Sequence, residues 1–196
     1  MKTIPATSHE AVLSSKKLVA ENTYEIGFTF EADFYFLPGQ YIWLKVPKLL
    51  FDDQHGNQRA FSILLSPQDK RTIYICFRDS QSGFKKTLLG LPIGAKVTIN
   101  GPFGGNFCLA DQINRYVFAA GGTGISSFLS VLRDGHTWEN DKHITFFLAN
   151  RSKESAPYLE ELEALSRTQK KFELHEVFGD ITAESVSFVQ SAPDAL

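Results

Sequence analysis

Three short stretches of this chain carry residue types that can do chemistry together. Arg59-Ala60-Phe61-Ser62 sets a cation, an aromatic ring and a hydroxyl side by side. On a strand, alternation sends residues 59 and 61 to one face, so one surface can offer both a phosphate partner and a flat plate. Ser62 adds a hydrogen bond at the rim of whatever lies on that plate. Taken alone, the tetrapeptide is more simply an ordinary strand with a surface Arg and a core Phe. Ser82-Gly83-Phe84-Lys85-Lys86-Thr87 opens a helix with a glycine. There backbone N–H groups can approach an anion, and two lysines in the first turn oppose the helix dipole unless an anion sits with them. A solvated helix face is the competing explanation. Gly121-Gly122-Thr123-Gly124-Ile125 lies between an apolar strand and an amphipathic helix. Glycines at such a junction permit a tight turn and close approach of a nucleotide. The spacing is not G-x-G-x-x-G and no Lys follows in the Walker manner, so nucleotide hydrolysis is not supported.

The elements that must position these residues fall into two kinds. Ala11–Val19, Thr23–Phe30, Tyr41–Val46, Ala60–Leu65, Thr72–Phe77 and Lys96–Ile99 are short strands, separated by turn signals such as Glu21-Asn22 and Leu37-Pro38-Gly39-Gln40. Such a series predicts a closed or nearly closed antiparallel barrel, interrupted by one helix over Phe84–Leu91. Asp52-Asp53-Gln54-His55-Gly56-Asn57 is a polar loop between two of the strands. After Gly101-Pro102-Phe103-Gly104-Gly105 the rhythm changes to strand Tyr116–Ala120, helix Ile125–Arg133, strand His143–Leu148, helix Tyr158–Leu165 and strand Phe172–Phe178. That alternation predicts a parallel sheet with right-handed crossovers. The fold class is therefore β followed by α/β, with domains over 1–111 and 112–196. A full doubly wound domain has about five or six parallel strands. With three placed, the second domain reads as incomplete.

Composition excludes several classes. A net charge of -2 offers no basic face for a nucleic-acid backbone. Cys76 and Cys108 stand apart with no C-x-x-C spacing, and the five histidines show no metal-ligand pattern, so no metal site is expected. No apolar run approaches the roughly 20 residues of a spanning helix, and the polar start is unlike a signal peptide, so a cytoplasmic protein is expected. The 17 Phe against 1 Met belong mostly to a Phe-rich core. Glu160, Glu161 and Glu163 form a solvated helix face rather than an acid–base pair.

Taken in order along the chain, these motifs resemble the ferredoxin–NADP reductase superfamily. Leu37-Pro38-Gly39-Gln40-Tyr41 is similar to its P-G-Q-[YF] strand, Arg59–Ser62 to its R-x-[YF]-[ST] motif, and Gly101-Pro102-Phe103-Gly104 to its G-P-x-G closing loop. Gly121–Ile125 resembles the G-G-[TI]-G-[IV] loop, and Arg151 with Tyr158-Leu159-Glu160-Glu161-Leu162 resembles the second crossover. The resemblance implies an FAD-binding barrel followed by a nicotinamide-binding domain. It assigns Arg59 to the FAD pyrophosphate, Phe61 to the isoalloxazine face and Ser62 to the neighbourhood of flavin N5, which makes Phe61 and Ser62 the catalytic candidates. Cys76, Phe77 and Arg78 match the strand that passes the FAD ribose. The family's G-x-x-S phosphate motif maps either to Gly83 with Lys86 or to Ser82 with Lys85, a lysine replacing the hydroxyl in both. Gly121, Gly122, Thr123, Gly124 and Arg151 take the nicotinamide coenzyme.

The implied activity is an NAD(P)H-dependent flavin oxidoreductase that passes electrons to a separate acceptor, a protein or a small molecule. The alternative is a non-catalytic FAD-binding or relay module. The chain departs from the family at Ser127, where a proline is usual, and in lacking the C-terminal C-G-P segment. Phe178-Gly179-Asp180 stands where NADP-using members carry Ser-Arg. Against Arg151 and Lys153, that acid tilts the expectation towards NADH.

Overall fold

A computed structural model describes residues 4–104 and 109–179. The first part is a six-stranded antiparallel sheet built from β1 (Thr7–Ala20), β2 (Thr23–Thr29), β3 (Tyr41–Lys45), β4 (Gln58–Ser62), β5 (Thr72–Arg78) and β6 (Lys96–Phe103). Its order is β4-β3-β6-β1-β2-β5. Alternation decides the register: Ile26 pairs with Ile75 and Phe28 with Ile73, so all four side chains fall on the inner face and are fully buried. Helix α1 (Gly83–Gly90) adds Phe84 and Leu88 to the same core. The expected barrel is not closed by its ladders, because β4 and β5 remain the two edges. They approach just past the end of β4, where the Leu64 N–H donates to the Tyr74 carbonyl at 3.0 Å.

The second part is a parallel sheet of β7 (Arg115–Gly121), β8 (His143–Asn150) and β9 (Phe172–Phe178), in that order. The helix expected from Ile125 is split: a 3-10 turn covers Gly122–Ile125 and α2 runs over Ser126–Leu132. The short α3 (Gly135–Glu139) has no counterpart in the sequence-based expectation. Its Asp134 cap accepts the His136 N–H, and five residues are too few to show a helical period. Helix α4 (Leu159–Thr168) buries Leu159 and Leu162.

The two sheets share a core. Leu64 and Cys76 from the first part pack with Phe118, Ile125, Leu129 and Leu148 from the second. Arg133 fastens this junction, donating to the Leu64 carbonyl at 2.8 Å and to both carboxylate oxygens of Glu161 at 2.8 Å. Its guanidinium also lies over the Tyr158 ring, whose hydroxyl donates to Glu25 at 3.0 Å. Glu161 is therefore engaged across the helix pair, not merely solvated as its spacing suggests.

Candidate cofactor site

At the start of α1 the side chains around the R-x-F-S strand converge. Phe61 stacks on Phe84 with centroids 6.1 Å apart, and the Arg59 guanidinium lies 5.2 Å over the same Phe84 ring. Alternation on β4 has thus put cation and aromatic on one side, as expected. The guanidinium is not idle: it donates to the carbonyls of His55, Gly56 and Gln58 and pairs with the Asp53 carboxylate. Asp53 Oδ2 in turn accepts from the Ser82 hydroxyl at 2.7 Å and from the Phe84 N–H at 2.9 Å, while Oδ1 accepts the His55 N–H. These donors, the Phe84 amide first, hold the Asp53 carboxyl well below the usual carboxylate range.

Neither lysine faces this cluster. Lys85 Nζ donates to the Arg78 carbonyl at 2.8 Å, and Lys86 Nζ to Gln81 Oε1 at 2.6 Å. Burial lowers the Lys85 pKa. Gly83 is closely covered: a Cβ there would lie 2.1 Å from the Asp52 carbonyl oxygen. The donor set of Arg59, Ser82 and the first amides of α1 can hold an anion, and here the anion it holds is the Asp53 carboxylate. Asp53 escapes sequence reasoning because it sits in a polar loop. The available signal was a carboxylate within one loop of Arg59, opposite a helix start.

Ser62 lies at the junction of the two parts, its hydroxyl 3.2 Å from that of Ser127 in the first turn of α2. The residue standing where the family carries proline is therefore the one that Ser62 meets. Phe77 is buried in the first core beside Phe61, with centroids 5.9 Å apart. Cys76 points the other way, into the shared core, and burial pushes its thiol up to about 11. Its side chain is a packing element at the junction rather than a ligand contact.

Arg78 reaches the second part. Its Nη2 donates to the Ser155 carbonyl at 3.0 Å and stands 3.6 Å from the point where a Cβ on Gly122 would be. There it helps line a cavity of about 380 Å³ with Gly121, Gly122, Asn150, Arg151 and Gly179. This cavity opens at the carboxyl ends of the parallel strands, where open α/β sheets bind ligands. Gly122 adopts φ +51°, a left-handed conformation that favours glycine, and its N–H donates to Asn150 Oδ1 at 3.0 Å. Asn150 is 8% exposed, and its Nδ2 has no partner among the described residues. A buried amide donor left open beside a cavity is a ready contact for a polar ligand. Thr123 and Gly124 continue the turn, with Gly124 exposed and clear of other atoms. The site residues thus form two groups, Arg59 with Ser82–Lys86 and Arg78 with Gly121–Gly124 and Arg151. Phe61 and Ser62 lie between them. Asp180 and Cys108 lie outside the described residues.

A family model described as the oxidoreductase NAD-binding domain matches residues 118–191. One component of the Na(+)-translocating NADH-quinone reductase of Moritella marina is 32% identical over 94 residues, covering 47% of this chain and 31% of that protein. The reductase component of propane 2-monooxygenase from Mycolicibacterium smegmatis is 29% identical over 142 residues, 71% of this chain and 39% of its own length. The chain therefore spans less than half the length of these relatives. Among solved structures, the Amycolatopsis cytochrome P450 reductase GcoB superposes with a TM-score of 0.79 at 19% identity, covering 97% of this chain and 60% of that one. Phthalate dioxygenase reductase gives 0.75 at 20% identity, over 95% and 58%. Ferredoxin-NADP+ reductase from Plasmodium falciparum gives 0.75 at 19%, over 94% and 82%. The solved structures share the fold of this chain, and the sequence match is to the oxidoreductase NAD-binding domain.

Proposed function

We propose that this chain, which has the fold of the ferredoxin–NADP reductase superfamily and matches its NAD-binding domain in sequence, is an FAD-dependent NAD(P)H oxidoreductase. When bound, FAD would accept reducing equivalents from the nicotinamide coenzyme and pass them to a separate acceptor, a protein or a small molecule. The division of labour follows the two parts, with residues 1–111 for flavin and 112–196 for coenzyme. Arg59, Ser82 and the first amides of α1, from Gly83 on, would serve the pyrophosphate, while Lys85 and Lys86, turned to the Arg78 carbonyl and Gln81, would add only nearby positive charge. Phe61 would support the flavin ring plane, and Ser62, steadied by Ser127, would hydrogen-bond at its edge. Gly121–Gly124, Asn150, Arg78 and Arg151 would hold the coenzyme. NADH is the favoured reductant, since Asp180 follows the third parallel strand and an acid there disfavours an extra phosphate. A cytoplasmic setting completes the reading, resting on the composition.

The observation that carries the proposal is the cavity at the strand ends. An arginine from the first part, a left-handed glycine turn and a buried amide without a partner among the described residues all meet there. The relatives' names, reductase components of propane 2-monooxygenases and part of a quinone reductase, support the reaction class. No helix among the described residues is long and apolar enough to cross a membrane. The test is an absorbance spectrum of the purified chain with added FAD, before and after anaerobic NADH or NADPH. A flavin band that bleaches with NADH more readily than with NADPH is expected. A band that responds to dithionite alone defeats the oxidoreductase reading and leaves a flavin-binding relay.

A further inference from the structure

We propose that Asp53 is a built-in counter-anion of the flavin seat, whose carboxylate occupies the donors at the start of α1 until the FAD pyrophosphate displaces it, and so sets how tightly FAD binds. The inference rests on the FAD reading above.

The convergence of donors carries it. The Ser82 hydroxyl, the Phe84 N–H, the His55 N–H and the Arg59 guanidinium all meet on this one carboxylate, whose side chain is 4% exposed. Each donating hydrogen serves one acceptor well, and a doubly charged diphosphate placed on the same donors would meet a second anion at contact distance. Backbone closes the same space. A glycine at a helix start leaves room for a ligand, but here the carbonyl oxygens of Phe51 and Asp52 would lie 2.6 and 2.1 Å from a Cβ on Gly83. The chain has filled its own cradle.

The loop is built to leave. Phe51, Asp52, Gln54, His55 and Gly56 are all largely solvent-facing, so little apolar burial holds them. On one side the loop is tethered where Val46 and Asn57 exchange hydrogen bonds of 3.0 and 2.9 Å. On the other, the Leu50 N–H donates to Thr87 Oγ1 at 2.9 Å. Between these tethers the grip on the seat comes mainly from Asp53 and from Arg59, which also holds the carbonyls of His55 and Gly56. Displacement thus exchanges one anion for another at a common arginine. The loop acts on FAD affinity without touching the flavin ring.

The experiment titrates the flavin-free chain with FAD, and separately with phosphate-free riboflavin, following the quenching of flavin fluorescence. Asp53→Asn keeps the size and the capping ability of the residue but removes its charge. It is expected to tighten FAD by about tenfold, the scale of one charge-assisted hydrogen bond, and to leave riboflavin unchanged. Asp53→Ala must move in the same direction. In the wild-type chain, hydrogen exchange across Phe51–Gly56 must speed up when FAD binds. Equal or weaker FAD binding by the variants, equal tightening of FAD and riboflavin, or unchanged exchange in the loop overturns the counter-anion while wild-type FAD binding still stands. Failure of wild type and variants alike to bind FAD overturns the flavin reading itself, and the inference with it.

Discussion

The start of α1 and the glycine turn after β7 are both places where backbone N–H groups gather, yet the chain treats them in opposite ways. At α1 the donors are consumed by Asp53, and the space over Gly83 is taken by the chain's own carbonyls. At the turn, among the described residues, Gly124 has no atom within 4 Å of a would-be Cβ, and Asn150 leaves a buried Nδ2 unused beside a cavity. One anion seat is satisfied internally and must be opened by exchange. The other spends one N–H, that of Gly122, on Asn150 and keeps the Asn150 amide donor open among the described residues. Pre-organisation lowers the cost of binding, whereas an internal competitor raises the apparent dissociation constant. On the proposed reading, the comparison predicts that the coenzyme binds at the turn with little rearrangement and that FAD binds at α1 only by exchange.

The harshest way to break this contrast is Gly83→Ala. The added methyl must push against backbone carbonyls, which cannot swing aside as the tip of a side chain can. A loss of about 1–3 kcal/mol is expected, the usual cost of overpacking. Urea melts of variant and wild type measure it. A neutral result would mean that the 50–53 loop already lies away from α1, and the internal satisfaction of that seat would be refuted.

Asn150→Ala addresses the other region. It removes the acceptor for the Gly122 N–H and the open donor together. NADH binding is expected to weaken by about tenfold, while stability falls by about 1 kcal/mol for the lost hydrogen bond. Titration of NADH against intrinsic fluorescence, beside a melt, separates the two effects. A stability loss with unaltered NADH affinity would make Asn150 a structural support only.

Much of this contrast was legible in the sequence, and its decisive part was not. β-branched and aromatic runs between turn signals located the strands of the first sheet, and in β5 the structure buries Ile73, Ile75 and Phe77 on the inner face while Thr72, Tyr74 and Arg78 are only half-buried. The glycine turn was legible because a left-handed residue between strand and helix demands glycine, as Gly122 confirms with φ +51°. Asp53 was not, since a carboxylate in a loop acquires its role only from partners at positions 59, 82 and 84, and a linear pattern does not carry that convergence. The same reason hid the crossing of Arg78 to the second part, where Ser155 is 77 residues away in sequence. The sequence left the barrel closed or nearly closed for a related cause: strand count can be read from it, but whether β4 and β5 meet depends on the accumulated twist and bulges of the strands between them. Register shifts in β1 at Leu13/Ser15 and Leu18/Ala20 are of that kind.

A gentler test of the α1 seat uses acid. The Asp53 carboxyl is held below its ordinary value by donors that favour the ionised form. Such a depressed group contributes stability that is fully present above the unfolded pKa, about 3.9 for Asp, and is lost as pH falls from there towards the folded pKa. Stability of wild type should therefore decline as pH drops through about 4, more steeply than that of Asp53→Asn. Parallel pH–stability curves for the two proteins would show that the carboxylate is not engaged in solution.

The smallest expected effect on stability is the sharpest on the comparison. Gly124 has ordinary negative-side backbone geometry and open space around it, and it sits in a helical turn, where alanine is the better residue by up to about 1 kcal/mol. Gly124→Ala should therefore leave the melting midpoint unchanged or slightly raised. Among the described residues nothing gives a reason for a glycine at this position, in contrast to Gly83, where the chain's own backbone demands one. If the turn receives the coenzyme by close backbone approach, the methyl intrudes on the ligand alone, and NADH affinity should fall severalfold while FAD binding holds. Should NADH bind the variant as well as wild type, close approach at Gly124 is wrong, and the coenzyme contact retreats to Gly122, Asn150 and Arg78.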